Sequence, residues 1–397
     1  MSEAYIFEWL NLLLRGLHLI AGIAWIGASF YFIMLDNSLQ APVREDDAVR
    51  GVSGELWAVH GGGIYQSQKF LAGPLGETLS SNLHWSKYEA YTTWLSGLGL
   101  LVVIYWFGAS TFLIDNSVMV LTPAAAIAIS AGSLAGGWIV YQLLCKAFGD
   151  NERVLGALVF AFVIFVDWAL FQVFSARAAF LHVGAVLGTI MAANVFFAII
   201  PGQKKMIAEI RQGLTPDSAL GRIGKQRSVH NTYFTLPVLF VMMSNHYPMT
   251  YSHPYGWLIL AFIMVAGALI RQFFVLRHRG QTRWGFILAP VVLLASVFVA
   301  LMPKPMPAAT ANAPTFAEVQ AIITTRCVAC HAAQPTHAGF AQPPKGVVLE
   351  TREQIASHAA KISETVASRY MPIGNLTQMT DVERARLAAW FNDALRK

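Results

Sequence analysis

Near the C-terminus, Cys327-Val328-Ala329-Cys330-His331 sets two thiols three positions apart, with an imidazole beside the second. On one helical turn such thiols reach the two vinyl groups of a single haem, and the histidine then lies under the iron. C-x-x-C-H is the attachment signal of c-type haem. A zinc site needs more Cys or His at suitable spacing. The remaining cysteine, Cys145, ends a distant apolar run and reads as inert packing. The second axial ligand of a haem c is Met or His, and Met raises the potential. Met371, stiffened by Pro372, is the expected ligand, ahead of Met379, His337 and His358.

Two histidines, His18 and His182, fall inside apolar runs. Ionisable side chains there are costly and often functional. Imidazoles in a helical bundle commonly hold a non-covalent haem, so both are candidate ligands for a haem b. The alternative is a histidine hydrogen-bonded to a neighbouring helix. Asp167 is a candidate partner for one of them, or a proton relay, and His246 and His253 are alternative ligands.

A third group lies in the stretch Trp57-Ala58-Val59-His60-Gly61-Gly62-Gly63-Ile64-Tyr65-Gln66-Ser67-Gln68-Lys69. Consecutive glycines can aim backbone N–H groups at an anion. They also make a plain flexible turn. Downstream, His84-Trp85-Ser86-Lys87-Tyr88-Glu89 enters one apolar run and His230-Asn231-Thr232-Tyr233 enters another. Trp85 and Lys87 suit a membrane interface. Glu89 and Asn231 begin to enter the bilayer, where polarity has a cost.

The elements that position these groups follow from composition. Apolar residues make up 55% of the chain and charged residues 13%, against roughly 25% charged in an ordinary soluble domain. Runs of about 20 apolar residues can cross a bilayer as helices. Eight are expected, near 9–35, 91–107, 123–144, 154–174, 178–200, 229–247, 255–276 and 284–302. The net charge of +6 does not indicate nucleic acid, because the basic residues sit in short loops between apolar runs. Alternate loops carry them: Arg44, Arg50, Lys69 and Lys87; Lys146 and Arg153; Lys204 to Arg227; Arg277, Arg279 and Arg283. The positive-inside rule then places these loops in the cytoplasm and both termini outside. No cleavable signal peptide is expected.

Leu17-His18-Leu19 matches Leu181-His182-Val183, and Ser86–Thr93 resembles Ser228–Thr235. This suggests two parallel four-helix halves. Gly132 and Gly136 read as a helix-packing pair. After Met302 a Pro- and Ala-rich linker (303–314) leads to a soluble helical segment with three capping boxes, at Thr315/Glu318, Thr351/Gln354 and Thr380/Glu383. The expected fold is all-α. A transmembrane bundle spans 1–302, and a small cytochrome c domain of class I type spans 315–397.

The ordered set Arg15-Gly16-Leu17-His18 with Trp25-Ile26-Gly27, Trp57-Ala58-Val59-His60-Gly61-Gly62-Gly63, Lys87-Tyr88-Glu89-Ala90-Tyr91 and the C-terminal C-x-x-C-H segment resembles the membrane-bound bacterial urate oxidases (urate hydroxylases) fused to cytochrome c. The resemblance covers the whole chain. It implies oxidation of urate to 5-hydroxyisourate, with electrons passed to cytochrome c and not directly to oxygen. On that reading the partners are urate, the lipid bilayer of a bacterial inner membrane, and a respiratory acceptor, either a soluble cytochrome c or a terminal oxidase.

Urate is an anion near neutral pH. His60, Glu89 and His230 are the candidate catalytic residues. Gly61, Gly62, Gly63, Tyr65, Lys69, Lys87 and Asn231 are the candidate substrate contacts. Cys327, Cys330, His331 and Met371 would hold haem c, and His18 and His182 a haem b. The rival expectation is a membrane-anchored cytochrome relaying electrons from quinol to an oxidase, without substrate chemistry.

Overall fold

The computed structural model describes residues 3–302, 314–337, 340 and 342–394, so most of the expected linker lies outside the described residues. The first apolar run forms α1 (Glu3–Asn37). A short α2 (Glu45–Val49) leads into an antiparallel hairpin of β1 (Val52–His60) and β2 (Gly63–Phe70). α3 (Tyr88–Leu100) gives way to π-helical turns at Leu101–Trp106 and Ala109–Leu113. α4 (Pro123–Phe148), α5 (Glu152–Phe171) and α6 (Ala176–Ala193) are started by Thr122, Asn151 and Ser175. Each of these side chains accepts a backbone N–H that the first turn leaves unpaired. α6 continues through a π-turn, Asn194–Ile199, into α7 (Ile200–Arg211). α8 (Ser218–Ser244), α9 (Pro248–Tyr251), α10 (Gly256–His278) and α11 (Gly285–Ala300) follow.

Each of the eight expected spans falls on a helix. By length and composition, five helices among the described residues can cross a membrane: Tyr5–Asn37, Pro123–Phe148, Glu152–Phe171, Ala176–Arg211 and Gly256–His278. The other three differ for physical reasons. α3 is only 13 residues before its hydrogen bonding changes register. α8 opens with a polar, basic stretch from Arg222 to Asn231. α11 has 16 residues, about 24 Å of helix.

α6 lies at the centre. Its Phe180, Val183, Val186, Leu187 and Ile190 are buried, and it packs on α3, α4, α5 and α8. α1 packs on α3 and α8, so the pair α1/α3 meets the pair α6/α8 reciprocally. Gly132 and Gly136 do not serve close helix packing, since a Cβ at either would meet nothing within 4 Å. Gly137 does serve it, because a Cβ there would lie 2.5 Å from Val186.

The basic loops gather at one end of the bundle. Asp36 at the foot of α1 pairs with Lys69 of the hairpin and, at 2.9 Å, with Lys225 of α8. Arg279 donates to Asn37, and Gln226 donates to the Gly149 carbonyl. The C-terminal segment forms α12 (Phe316–Arg326), α13 (Arg352–Ser357), α14 (Ala359–Ala367) and α15 (Asp381–Ala394). All three capping boxes form. α12 and α15 pack together over Val319, Ile323, Leu387 and Phe391. This unit touches the bundle where Ile373–Asn375 meets Ala109–Leu113, and the Phe112 and Phe340 rings lie 6.3 Å apart.

Candidate functional site

The turn after α12 brings Cys327, Cys330 and His331 together, with the His331 N–H donating to the Cys327 carbonyl at 2.9 Å. His331 Nδ1 lies 2.9 Å from the Val347 carbonyl. A carbonyl only accepts, so Nδ1 carries the proton and Nε2 keeps its lone pair for a metal. Burial pushes the Cys327 thiol up to about 12, and raises Cys330 as well. No group of three or more His, Cys, Asp or Glu among the described residues is arranged to hold a metal ion. The donors present suit a haem, which needs two thiols, one imidazole and one further ligand.

Met371 is half-buried, whereas Met379 is packed into the domain core. The loop carrying Met371 is pinned by Arg384, which donates to the carbonyls of Val366 and Met371 at 3.0 and 2.6 Å and to Asn375 at 3.1 Å. Arg384 was not singled out from the sequence. His358 Nδ1 lies 3.0 Å from the Gln354 carbonyl within its own helical turn.

A second site lies inside the bundle. Tyr141 of α4, Asn194 of the π-turn, and Arg227, His230 and Asn231 of α8 form a buried polar cluster. The Tyr141 hydroxyl is 2.7 Å from His230 Nδ1, and Asn194 donates to Tyr141 at 3.0 Å and to Asn231 at 2.9 Å. Asn231 donates to the Met191 carbonyl at 3.0 Å. Arg227 is 4% exposed and makes no ion pair among the described residues. Its guanidinium stacks 5.1 Å from the Tyr141 ring centre, its Nη1 reaches Asn194 at 3.4 Å, and its Nε has no hydrogen-bond partner. A buried cation without a counter-charge is expensive, and an anion would offset that cost. His230 also borders an apolar cavity of about 250 Å³ with Leu187, Tyr233, Phe234 and Pro237.

Of the expected substrate contacts, His230 and Asn231 are thus brought together, and Glu89 sits at the same level. Its neighbour Ala90 packs on Val195, next to Asn194. The hairpin residues are not brought to this cluster. Gly61 and Gly62 form a two-residue turn with φ of +58° and +82° between the paired His60 and Gly63. That turn requires φ > 0 at both positions, which explains the glycines without an anion. His60 and Tyr65 are exposed, Lys69 is taken by Asp36, and Lys87 lies over the Trp85 and Tyr88 rings. Arg227, Asn194 and Tyr141 were missed. The available signals were an amide inside an apolar run and the spacing of Arg227 before His230 and Asn231, which puts all three on one helical face.

The two membrane histidines do not meet as a pair. His182 is fully buried, with Nδ1 2.8 Å from its own Ala178 carbonyl and Nε2 2.7 Å from Ser130 Oγ of α4. Both ring nitrogens are engaged, so it offers no lone pair to iron. Asp167 is not its partner: it is buried, and neither carboxylate oxygen has a hydrogen-bond partner among the described residues. His18 has Nδ1 2.9 Å from the Thr93 carbonyl and 3.2 Å from Ser96 Oγ, and among the described residues Nε2 has no partner. It lines a larger cavity of about 470 Å³ between α1, α3, α6 and α8.

The family model described as urate oxidase N-terminal matches residues 4–302. No curated protein and no solved structure matches the chain.

Proposed function

The chain belongs to the urate oxidase N-terminal family, and we propose that it oxidises urate inside a membrane-embedded bundle and passes the electrons to a haem c in its own C-terminal domain. The observation that carries this reading is Arg227: a buried guanidinium with an unpaired Nε, set among Asn194, Asn231, Tyr141 and His230. A planar anion with amide edges, such as urate, supplies the missing charge for Arg227 and an acceptor for the second Nδ2–H of Asn231, whose first goes to the Met191 carbonyl.

In the proposed reaction urate and one water give 5-hydroxyisourate, two protons and two electrons. Arg227 and the Asn231 amide bind and orient the anion, and Asn194 braces them through Tyr141 and Asn231. His230 takes a proton from the adding water, and the Tyr141 hydroxyl, 2.7 Å from Nδ1, holds the ring. The buried setting excludes competing water and strengthens these contacts. In the C-terminal unit Cys327, Cys330, His331 and Met371 are the residues that would hold a haem c. Bound there, such a group would supply one-electron acceptance, so the two electrons of each turnover would leave singly.

The proposed architecture is eight spans over 1–302, a linker over 303–314 and a cytochrome c domain of class I type over 315–397. The clustered basic loops are cytoplasmic, and the C-terminal domain is on the periplasmic side of a bacterial inner membrane. From there electrons leave to a soluble cytochrome c or a terminal oxidase. The test is anaerobic addition of urate to the purified, oxidised protein while its absorption spectrum is recorded. Reduction of a c-type haem by urate is the expected result, with covalent haem lost in Cys330→Ala. A spectrum that urate leaves unchanged, but quinol reduces, overturns the substrate assignment in favour of an electron relay.

A further inference from the structure

The cavity beside His18 is separate from the Arg227 cluster, and the proposed urate chemistry does not use it. At about 470 Å³ it lies within the size range of sites for organic cofactors. Its walls are mostly apolar: Leu19, Ile23, Trp25 and Ile26 of α1, Leu98 and Leu101 at the end of α3, Gly184 and Gly188 of α6, and Val238 of α8. Glycine keeps it open. A Cβ on Gly97 would lie 2.9 Å from the His18 ring, and a Cβ on Gly188 would meet nothing within 4 Å.

The polar groups at this cavity are few and of particular types. His18 Nδ1–H donates to the Thr93 carbonyl at 2.9 Å, which fixes the tautomer and leaves Nε2 as a lone pair. Arg15 and Arg177 also line the cavity. Each spends its Nε on an asparagine, Asn11 at 2.6 Å and Asn245 at 2.9 Å, and forms no ion pair among the described residues. A guanidinium has five N–H donors, so both retain donors for carboxylates. The Tyr105 hydroxyl is buried without a hydrogen-bond partner among the described residues.

We infer that this cavity binds a non-covalent haem, with His18 Nε2 as an axial ligand and Arg15 and Arg177 receiving the two propionates. An imidazole with a free nitrogen, with His246 a second imidazole in the lining, an apolar slot and two cations with donors to spare match an apolar ring bearing an iron and two carboxylates. A lipid tail would use neither the lone pair of His18 nor the arginines, and a quinone has no metal to take that lone pair and no carboxylates to pair with two cations.

The position also suits electron transfer. Tyr105 lines the cavity and lies 6.3 Å, ring to ring, from Phe112, which lies 6.3 Å from Phe340 of the C-terminal unit. On the inner side, Met191 lines the cavity, and its carbonyl accepts from Asn231 of the polar cluster.

The test uses the purified full-length protein and no urate, so it is independent of the substrate assignment. Acidified organic solvent is expected to release haem b, about one per chain, while any covalent haem stays with the protein. His18→Ala should lower the extractable haem about tenfold, with added imidazole restoring the absorption spectrum. Gly188→Phe fills the cavity without touching His18 and should lower it comparably. A wild-type protein with no extractable haem, or with quinone in the extract in its place, overturns the inference. So does full retention of haem in both variants.

Discussion

His18 and His182 sit in matching Leu-His stretches of α1 and α6, and their surroundings are opposite. His18 uses one nitrogen on a backbone carbonyl and leaves the other beside a cavity. His182 uses both, on Ala178 and Ser130, and is sealed in the core. The polar groups differ in the same way. The second half of the bundle carries Asn194, Arg227, His230 and Asn231, which interlock. In the first half Glu89 makes no comparable network. Similar sequence around the two histidines therefore leaves one ring beside a cavity and the other packed in the core. At the polar end the specialisation is reversed: the second half offers the buried site.

The largest test of that division is Arg227→Met. It should reduce kcat/KM for urate-driven reduction by about 100-fold, equivalent to about 3 kcal/mol for losing a buried charge contact, with haem content unchanged. Glu89→Gln should change it less than about threefold, well below 1 kcal/mol. An equal loss in Glu89→Gln would erase the asymmetry. Arg271, also buried and with Nε unpaired, provides a sharper control. It stacks on Phe30 of α1 at 4.2 Å. Loss of activity in Arg271→Met but not in Arg227→Met would move the substrate site to the other side of α8.

His182→Ala comes next. It removes the acceptor for Ser130 and leaves a buried hydroxyl short of a partner, which costs about 1–3 kcal/mol. Thermal unfolding should shift down by a few degrees, with extractable haem unaltered. Loss of that haem would instead make His182 a ligand and restore symmetry between the halves. The smallest effect is expected for Asp36→Asn. The carboxylate links Lys69 and Lys225, but all three side chains are partly exposed, so less than about 1 kcal/mol is at stake. Faster proteolysis at the hairpin, with unchanged urate-driven reduction, would confirm that this end of the molecule is a clamp. A fall in activity would tie the hairpin to the substrate site after all.

Much of the architecture was legible because it depends on short spacings. The apolar runs and their basic loops, the three capping boxes, and the Cys327–His331 turn each involve residues within a few turns of chain. The hairpin glycines leave two readings open in sequence because a tight turn and an anion cradle draw on the same residue type. The two are told apart only by whether anything else approaches, and at Gly61 and Gly62 nothing does. Gly132 and Gly136 have the right spacing for packing, but the helix presents Gly137 to its neighbour instead. Arg227 looked like one more basic loop residue, because composition marks charge and not burial.

By itself, then, the sequence determined a helical chain rich in apolar spans, the place where its texture changes, and the covalent haem motif. Such features are set within one helical turn or one run of residues, where spacing is geometry. The tertiary structure decided which histidine keeps a free nitrogen, which arginine is buried without a partner, and which glycine admits a neighbour. Each of those depends on groups supplied by another helix: Thr93 for His18, Ser130 for His182, Asn194 and Tyr141 for Arg227, and Val186 for Gly137. Spacing along one helix fixes its faces. It does not fix what each face meets.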